Sequence, residues 1–333
     1  MSKYLFYPGC SMTRSARPYL DSLNAIREDI DMVLEEVADW NCCGATEYAS
    51  VHRIPAHALV GRNLALAQKQ VDGTDTVVAG CSACYLNLAK TDYYMRQDNR
   101  LNTQVNDALA AGGLHYDPGS VQVRHLLDIV VHDVGLEAIK RKVVRPLKGL
   151  RVAPYYGCMV NRPDFNHRFQ HEEYPLSLDR VLRTLGAEVI NFPLKTHCCG
   201  GHMTQISPPV AYEIIRRLID AASQYKADML VTICPMCQLN LDAYQGDMNK
   251  HFHTAYHMPV VYFTQLMGLA FGYEAAKLGL GKEFVDVRAA LAKIGVAVPE
   301  EVVKEKRPSR RRKDDPSLPM PVMPEINDEE GEA

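Results

Sequence analysis

Short apolar blocks alternate with longer amphipathic stretches along this chain, and the alternation runs through twice. Tyr4-Leu5-Phe6-Tyr7 stops at Pro8-Gly9, which predicts a buried strand followed by a turn. Leu23, Ile26, Ile30, Val33 and Leu34 recur at roughly helical spacing and predict a helix within Ser22–Val37. Pro55 opens a second amphipathic helix, His57–Gln70, with Leu59, Leu64 and Leu66 among its apolar positions. Thr76–Ala79 reads as a short Val-rich strand, and a further helix is expected from Cys84 through Leu86 and Leu88.

The second half repeats this grammar. Val152-Ala153-Pro154-Tyr155-Tyr156-Gly157-Cys158 answers Tyr4-Leu5-Phe6-Tyr7-Pro8-Gly9-Cys10, and Arg162 answers Arg14. A helix over Leu178–Leu185 precedes a strand over Glu188–Phe192, and Pro208-Pro209 opens a helix over Val210–Tyr225. Asp228–Cys234 then answers Asp75–Cys81, and Leu86-Asn87-Leu88 returns as Leu239-Asn240-Leu241. Matches this far from one another mark an internal duplication. Strands alternating with helices indicate α/β architecture with mainly parallel sheets, in which ligands gather beyond the carboxyl ends of the strands. Lys140–Leu150, with Arg145-Pro146, is the expected junction.

Composition narrows the class. A chain of 333 residues with net charge −3 suits two globular units and gives no electrostatic pull toward nucleic acid. Met258–Gly272 is the most apolar stretch, but Thr264 and Gln265 interrupt it and it falls short of the roughly 20 residues that span a bilayer. The opening Met1-Ser2-Lys3-Tyr4 has no basic, apolar and small-residue sequence of a signal peptide, so a cytoplasmic protein is expected. From Pro299 onward the composition changes. Arg310-Arg311-Arg312-Lys313, the prolines from Pro316 to Pro324 and the acidic end predict a disordered tail.

Chemistry resides in the cysteines. All ten fall into two parallel sets: Cys10, Cys42, Cys43, Cys81 and Cys84, then Cys158, Cys198, Cys199, Cys234 and Cys237. Each set is a lone cysteine, a Cys-Cys-Gly and a Cys-x-x-Cys. In a reducing compartment such thiols point to metal rather than disulfides. Structural zinc takes four ligands, commonly from two Cys-x-x-Cys pairs, and pairing the two motifs in one zinc site would leave six thiols unused. Adjacent cysteines in an extended chain point apart and suit a larger object with several metal atoms. The spacing therefore favours iron–sulfur without defining the cluster. Gly9, Gly44, Gly157, Gly200 and Gly201 would let the backbone approach such a group, or simply make tight turns.

This doubled pattern resembles the duplicated cysteine-rich CCG domain, and residues 1 to roughly 275 are similar to the B subunit of heterodisulfide reductase and its bacterial relatives. The resemblance implies two CCG domains, 1–140 and 150–298, related by pseudo-twofold symmetry, with the tail 299–333 outside it. It implies a non-cubane [4Fe-4S] cluster held by the five cysteines of each repeat, two clusters facing one cavity, and a thiol or disulfide substrate. It also implies two partners: a ferredoxin-like C subunit with cubane clusters as electron donor, and a flavin-containing A subunit that feeds it. The expected activity is that of an oxidoreductase acting on sulfur, reducing a disulfide or oxidising thiol or persulfide sulfur. Splitting a disulfide takes two electrons that such centres move singly, so two clusters suit two sulfur fragments.

Lys195, His197 and His202 flank the second Cys-Cys and are candidates to supply protons or hold an anionic substrate; the alternative is a supporting or solvent-facing place for each. Tyr7, Tyr155 and Tyr156 are candidates to line the cavity, against ordinary core packing. His251, His253 and His257 form a loose group to which no metal is assigned. A competing reading is a peripheral electron-transfer subunit of a quinone-linked dehydrogenase, seated on the inner face of the membrane. A third is a zinc-stabilised interaction module. No Gly-x-Gly-x-x-Gly is present, so electrons are expected from partner proteins.

Overall fold

A computed structural model describes residues 2–45, 48–163, 165, 171 and 173–298. The tail expected over 299–333 lies outside the described residues. The first repeat forms a four-stranded sheet in the order β2-β1-β3-β4, from β1 (Ser2–Tyr7), β2 (Met32–Glu36), β3 (Thr76–Ala79) and β4 (Gln122–His125). The second forms β6-β5-β7-β8, from β5 (Arg151–Tyr155), β6 (Glu188–Val189), β7 (Met229–Thr232) and β8 (Val260–Tyr262). Every strand pair is parallel. β3 and β7 are buried along their whole length, as strands covered by helices on both faces must be, which is why they read as continuous apolar runs.

The strand order reverses between β1 and β3, and again between β5 and β7. Chain crossovers leave in opposite directions from such a pair and open a crevice at their carboxyl ends. Cys10 and Cys81 follow β1 and β3, and Cys158 and Cys234 follow β5 and β7, so the crevice is where the thiols are delivered.

One apolar core runs through both halves, which belong to one compact unit, Met1–Glu300. The helix Arg17–Ile26 of the first repeat packs on Phe263–Ala270 of the second, with Ser22 Oγ and Thr264 Oγ1 2.7 Å apart. Their counterparts, Ser177–Thr184 and Leu126–Ile129, also meet. Reciprocal contact between equivalent elements is the signature of a two-fold arrangement.

The helix expected through Ser22–Val37 stops at Ile26, and Asp31 turns the chain in the left-handed region at φ 53° into β2. β2 is an edge strand with largely exposed residues, so its spaced apolar positions fit a helix as well as a strand. The strand expected over Glu188–Phe192 is paired only at Glu188–Val189. β4 and β8 stand outside the sequence pattern: each is short, and each runs directly into a helix.

Candidate metal centre

Each repeat presents its thiols on three supports. The strand β1 runs into Gly9, and the one-turn helix Gly9–Met12 carries Cys10. Cys81 precedes the helix Ser82–Gln97, whose first turn carries Cys84; Cys234 precedes Pro235–Ala243, which carries Cys237 in the same way. A helix N-terminus favours a thiolate through its free N–H groups. The Cys-Cys loops are anchored from behind by matching bonds. Tyr7 donates its hydroxyl to the Asn41 carbonyl at 2.6 Å, and Tyr155 donates to the His197 carbonyl at 2.6 Å. Asn87 donates to the Cys43 carbonyl at 3.0 Å, and Asn240 reaches the equivalent Cys199 carbonyl at 3.4 Å and also the Gly201 carbonyl at 2.7 Å. These buried tyrosines therefore hold the loops, and the recurrence of asparagine at 87 and 240 has the same cause.

All ten cysteines are free. Their sulfurs form one continuous series that reads the same from either end. Cys10 lies 3.5 Å from Cys42, whose neighbour Cys43 lies 3.4 Å from Cys84, and Cys84 contacts Cys81. Cys81 Sγ is 4.0 Å from Cys234 Sγ, across the junction between the repeats. Beyond it, Cys234 contacts Cys237, Cys237 contacts Cys199, and Cys198 contacts Cys158. The six central cysteines are buried, while Cys10, Cys42 and Cys198 are exposed and Cys158 is partly so. The two Cys-x-x-Cys motifs thus touch only through their leading sulfurs, and their trailing cysteines turn onto the Cys-Cys pairs. Among the described residues no three His, Cys, Asp or Glu side chains converge on one point as the ligands of a single ion do.

The thiols constrain one another's ionisation. Cys198 is held down to about 2 by hydrogen bonds from Cys158 and Cys199, while Cys199 is pushed up to about 12, first by Cys198. In the first repeat, Cys43 is lowered by Cys42 and Cys84, and both of those are raised. At the junction Cys234 is lowered, by Cys237 and then Cys81, and Cys81 is raised, chiefly by Cys234. So many crowded thiols cannot all ionise without a cationic partner, a charge that a metal group held among them would supply.

Three further features fit a sulfur-bound metal group. A Cβ on Gly9 would stand 2.9 Å from Cys84 Sγ, and one on Gly157 would stand 2.8 Å from Cys237 Sγ, so both glycines leave room that the thiols need. Both sit at φ +69°, where side chains are strained in any case. Ser82 Oγ, next to Cys81, and both side-chain amide atoms of Asn161, three residues past Cys158, are buried without partners. Buried orphans of this kind require an explanation, and a group bearing sulfide and iron beside them provides one.

Lys195 takes a different place from the open thiols. It is 0% exposed, its ammonium donates to both carboxylate oxygens of Asp179 at 3.1 and 3.2 Å, and it lies 3.8 Å over the Tyr174 ring. Burial lowers its pKa from the ordinary lysine value. Tyr156 donates to the same carboxylate at 2.8 Å, so Lys195 and Tyr156 brace the backbone before the second Cys-Cys. His197 is exposed beside Cys198, and His202 is half-buried at the start of the one-turn helix Met203–Ile206. His251 packs on Tyr212 and Phe252.

Comparison with known proteins agrees with this geometry. The cysteine-rich CCG domain model matches residues 4–89 and 152–242, the two repeats. The 8-methylmenaquinol:fumarate reductase membrane anchor subunit of Wolinella succinogenes is 34% identical over 284 residues, covering 85% of this chain and 97% of the relative. The B subunit of the ferredoxin:CoB-CoM heterodisulfide reductase of Methanosarcina mazei is 29% identical over 297 residues, 88% of this chain and 97% of that one. A protein of Archaeoglobus profundus, named for its likeness to the B subunit of heterodisulfide reductase, is 27% identical, over 84% and 93% respectively. Among solved structures, a hypothetical protein from Helicobacter pylori shares the fold at TM-score 0.67 and 13% identity, over 85% of this chain and 52% of its own. With the CCG domain present twice and its ten thiols assembled in mirror order, the chain belongs to the family of duplicated cysteine-rich proteins that includes the B subunit of heterodisulfide reductase.

Proposed function

We propose that this chain is the iron–sulfur subunit of a heterodisulfide reductase-like complex, holding one non-cubane [4Fe-4S] cluster per repeat and reducing a disulfide or oxidising thiol or persulfide sulfur. The observation that carries the reading is the series of ten free sulfurs, buried at its centre and open at both ends. Cys43, Cys81 and Cys84 would grip one cluster from the protein side, with Cys10 and Cys42 completing the set at the mouth. Cys199, Cys234 and Cys237 would do the same in the second repeat, with Cys158 and Cys198 outside. A cluster bound there would supply single electrons and an iron able to take an external thiolate. The chain's own residues do the rest. The buried thiols exclude water from the junction, Tyr7 and Tyr155 fix the Cys-Cys loops, and the outer cysteines lie where a sulfur substrate can approach. His197, exposed beside Cys198, would deliver a proton or meet an anionic group there. Electrons would come from a ferredoxin-like C subunit, itself supplied by a flavin-containing A subunit.

The test is iron and acid-labile sulfide analysis of anaerobically purified protein, with turnover of disulfides by an artificial electron donor. Two clusters' worth of iron and sulfide per chain is expected; less than one cluster per repeat would overturn the reading. The similarity to a quinol-linked fumarate reductase subunit favours a second reading, peripheral electron transfer to or from a quinone. Among the described residues no helix is long and apolar enough to cross a membrane, so that role would need a membrane-bound partner. Turnover with a quinone and none with disulfides would select it.

A further inference from the structure

We propose that His125 is a positioning residue that ties the two Cys-x-x-Cys turns together and makes the two cysteine sets unequal. His125 closes β4, in register with Ala79, and is wholly buried. Its Nδ1 accepts the backbone N–H of Leu127 at 3.1 Å, which leaves the ring proton on Nε2. The Tyr85 ring packs nearly perpendicular to the imidazole, with centroids 5.8 Å apart.

Nε2 makes no hydrogen bond of good geometry, although it has no access to water. The acceptors against it are the backbone carbonyls of Gly80 and Ile233. These two residues immediately precede Cys81 and Cys234, whose sulfurs are the central pair of the series. A single N–H is therefore shared between the two turns, one from each repeat. It is fully satisfied by neither. A buried donor in that position favours whatever draws the carbonyls together, and that keeps the central sulfurs in contact.

The second repeat has no such histidine. Its matching register position, opposite Thr232, is Tyr262, which stacks on Tyr19 at 4.4 Å. Tyr19 in turn donates to the Ile233 carbonyl at 3.4 Å. Side chains of the first repeat, His125 and Tyr19, thus both address the turn that carries Cys234. Both donors reach backbone carbonyls one residue before a cysteine and not the sulfurs themselves, and unequal groups behind matched ligands tune the potentials of iron–sulfur centres, so two centres built on matched cysteines would titrate apart.

The magnetic part of the test rests on the proposed function. Anaerobic protein is titrated with reductant and followed by electron paramagnetic resonance. Wild type should give two distinct midpoints and a magnetic interaction between the centres. His125→Phe should shift a midpoint and change that interaction, and His125→Gln, which restores an N–H donor, should return both toward wild type. His125→Phe with normal iron content and an unchanged spectrum and midpoints would overturn the proposal. If His125→Phe fails to fold, His125→Gln decides: a wild-type spectrum supports the tie, and an altered one overturns it. Wild type devoid of clusters would refute the functional reading alone. The tie would then be read from melting temperature, lowered by His125→Phe and rescued by His125→Gln; no change in either would overturn it.

Discussion

The two repeats agree closely where they touch the thiols and part company behind them. Gly9 and Gly157 share a backbone angle, and Tyr7 and Tyr155 make the same 2.6 Å bond to the loop before each Cys-Cys. Behind that loop the first repeat uses Asn63, which accepts from the Asn41 backbone at 2.8 Å. The second uses the buried Lys195–Asp179 pair with Tyr156. At the junction the first repeat offers His125 where the second offers Tyr262. The lesson is that the thiol geometry tolerates little change, because each sulfur must reach its neighbours, whereas the support can be rebuilt in any chemistry that holds the loop.

The sharpest way to break this comparison is to remove one thiol from each repeat, on the proposed function a ligand. Cys84→Ser and Cys237→Ser should each cost about half of the bound iron, and the double variant nearly all of it. Iron analysis that finds both repeats emptied by a single substitution would show one shared site in place of two. Next in size is Lys195→Met, which leaves Asp179 at 1% exposure with Arg183 3.9 Å away as its remaining cation. Stranding a buried carboxylate typically costs about 3–5 kcal/mol, measurable by urea unfolding, and the first repeat has no equivalent weakness in its Asn63 support.

Gly9→Ala and Gly157→Ala should behave as twins. Each forces a side chain into a left-handed backbone and against a sulfur, for about 1–2 kcal/mol and a loss of iron from its own repeat. Unequal effects by thermal denaturation would show that the two cradles differ after all. Acid sensitivity should track the first repeat. His57 is held down to about 4, chiefly by burial, whereas an unfolded histidine titrates near 6.5. Between those values the unfolded chain binds a proton that the folded one refuses, so stability falls as pH drops from 6.5 toward 4. His57→Gln keeps a partner for Thr91 and should flatten that loss in unfolding measured at about pH 7 and about pH 5. Smallest of all should be Val51→Ser and Ile206→Ser. These exposed residues, at 70% and 63%, end the one-turn helices after the two Cys-Cys loops, and stability should stay within about 0.5 kcal/mol.

The cysteine sets are legible because each lies at a point where a local pattern changes, from an apolar strand to a glycine turn or a helix start. Thr76–Ala79 is a strand over the expected residues, and the helix expected from Pro208-Pro209 runs over Pro208–Gln224. β2 is a strand where the spacing predicts a helix, because an edge strand buries too little to show a period of two. β4 and β8 run straight into the helices that follow them, so no turn marks where either strand ends. Lys195 draws attention by its closeness to Cys198 in the chain, yet its partner Asp179 lies 16 residues away and takes its ammonium into the core.

Sequence alone determined that there are two repeats, that the chain is α/β, and that each repeat carries five thiols as a lone cysteine, a Cys-Cys-Gly and a Cys-x-x-Cys. Those properties depend on neighbours along the chain, and neighbours are what a sequence displays. Only the tertiary structure decided which sulfur meets which, that Cys81 and Cys234 meet across the junction, and that His125 lies between their turns. The physical reason is distance: those contacts join residues up to 153 positions apart, and their existence depends on how two sheets and their helices pack, which no local pattern encodes.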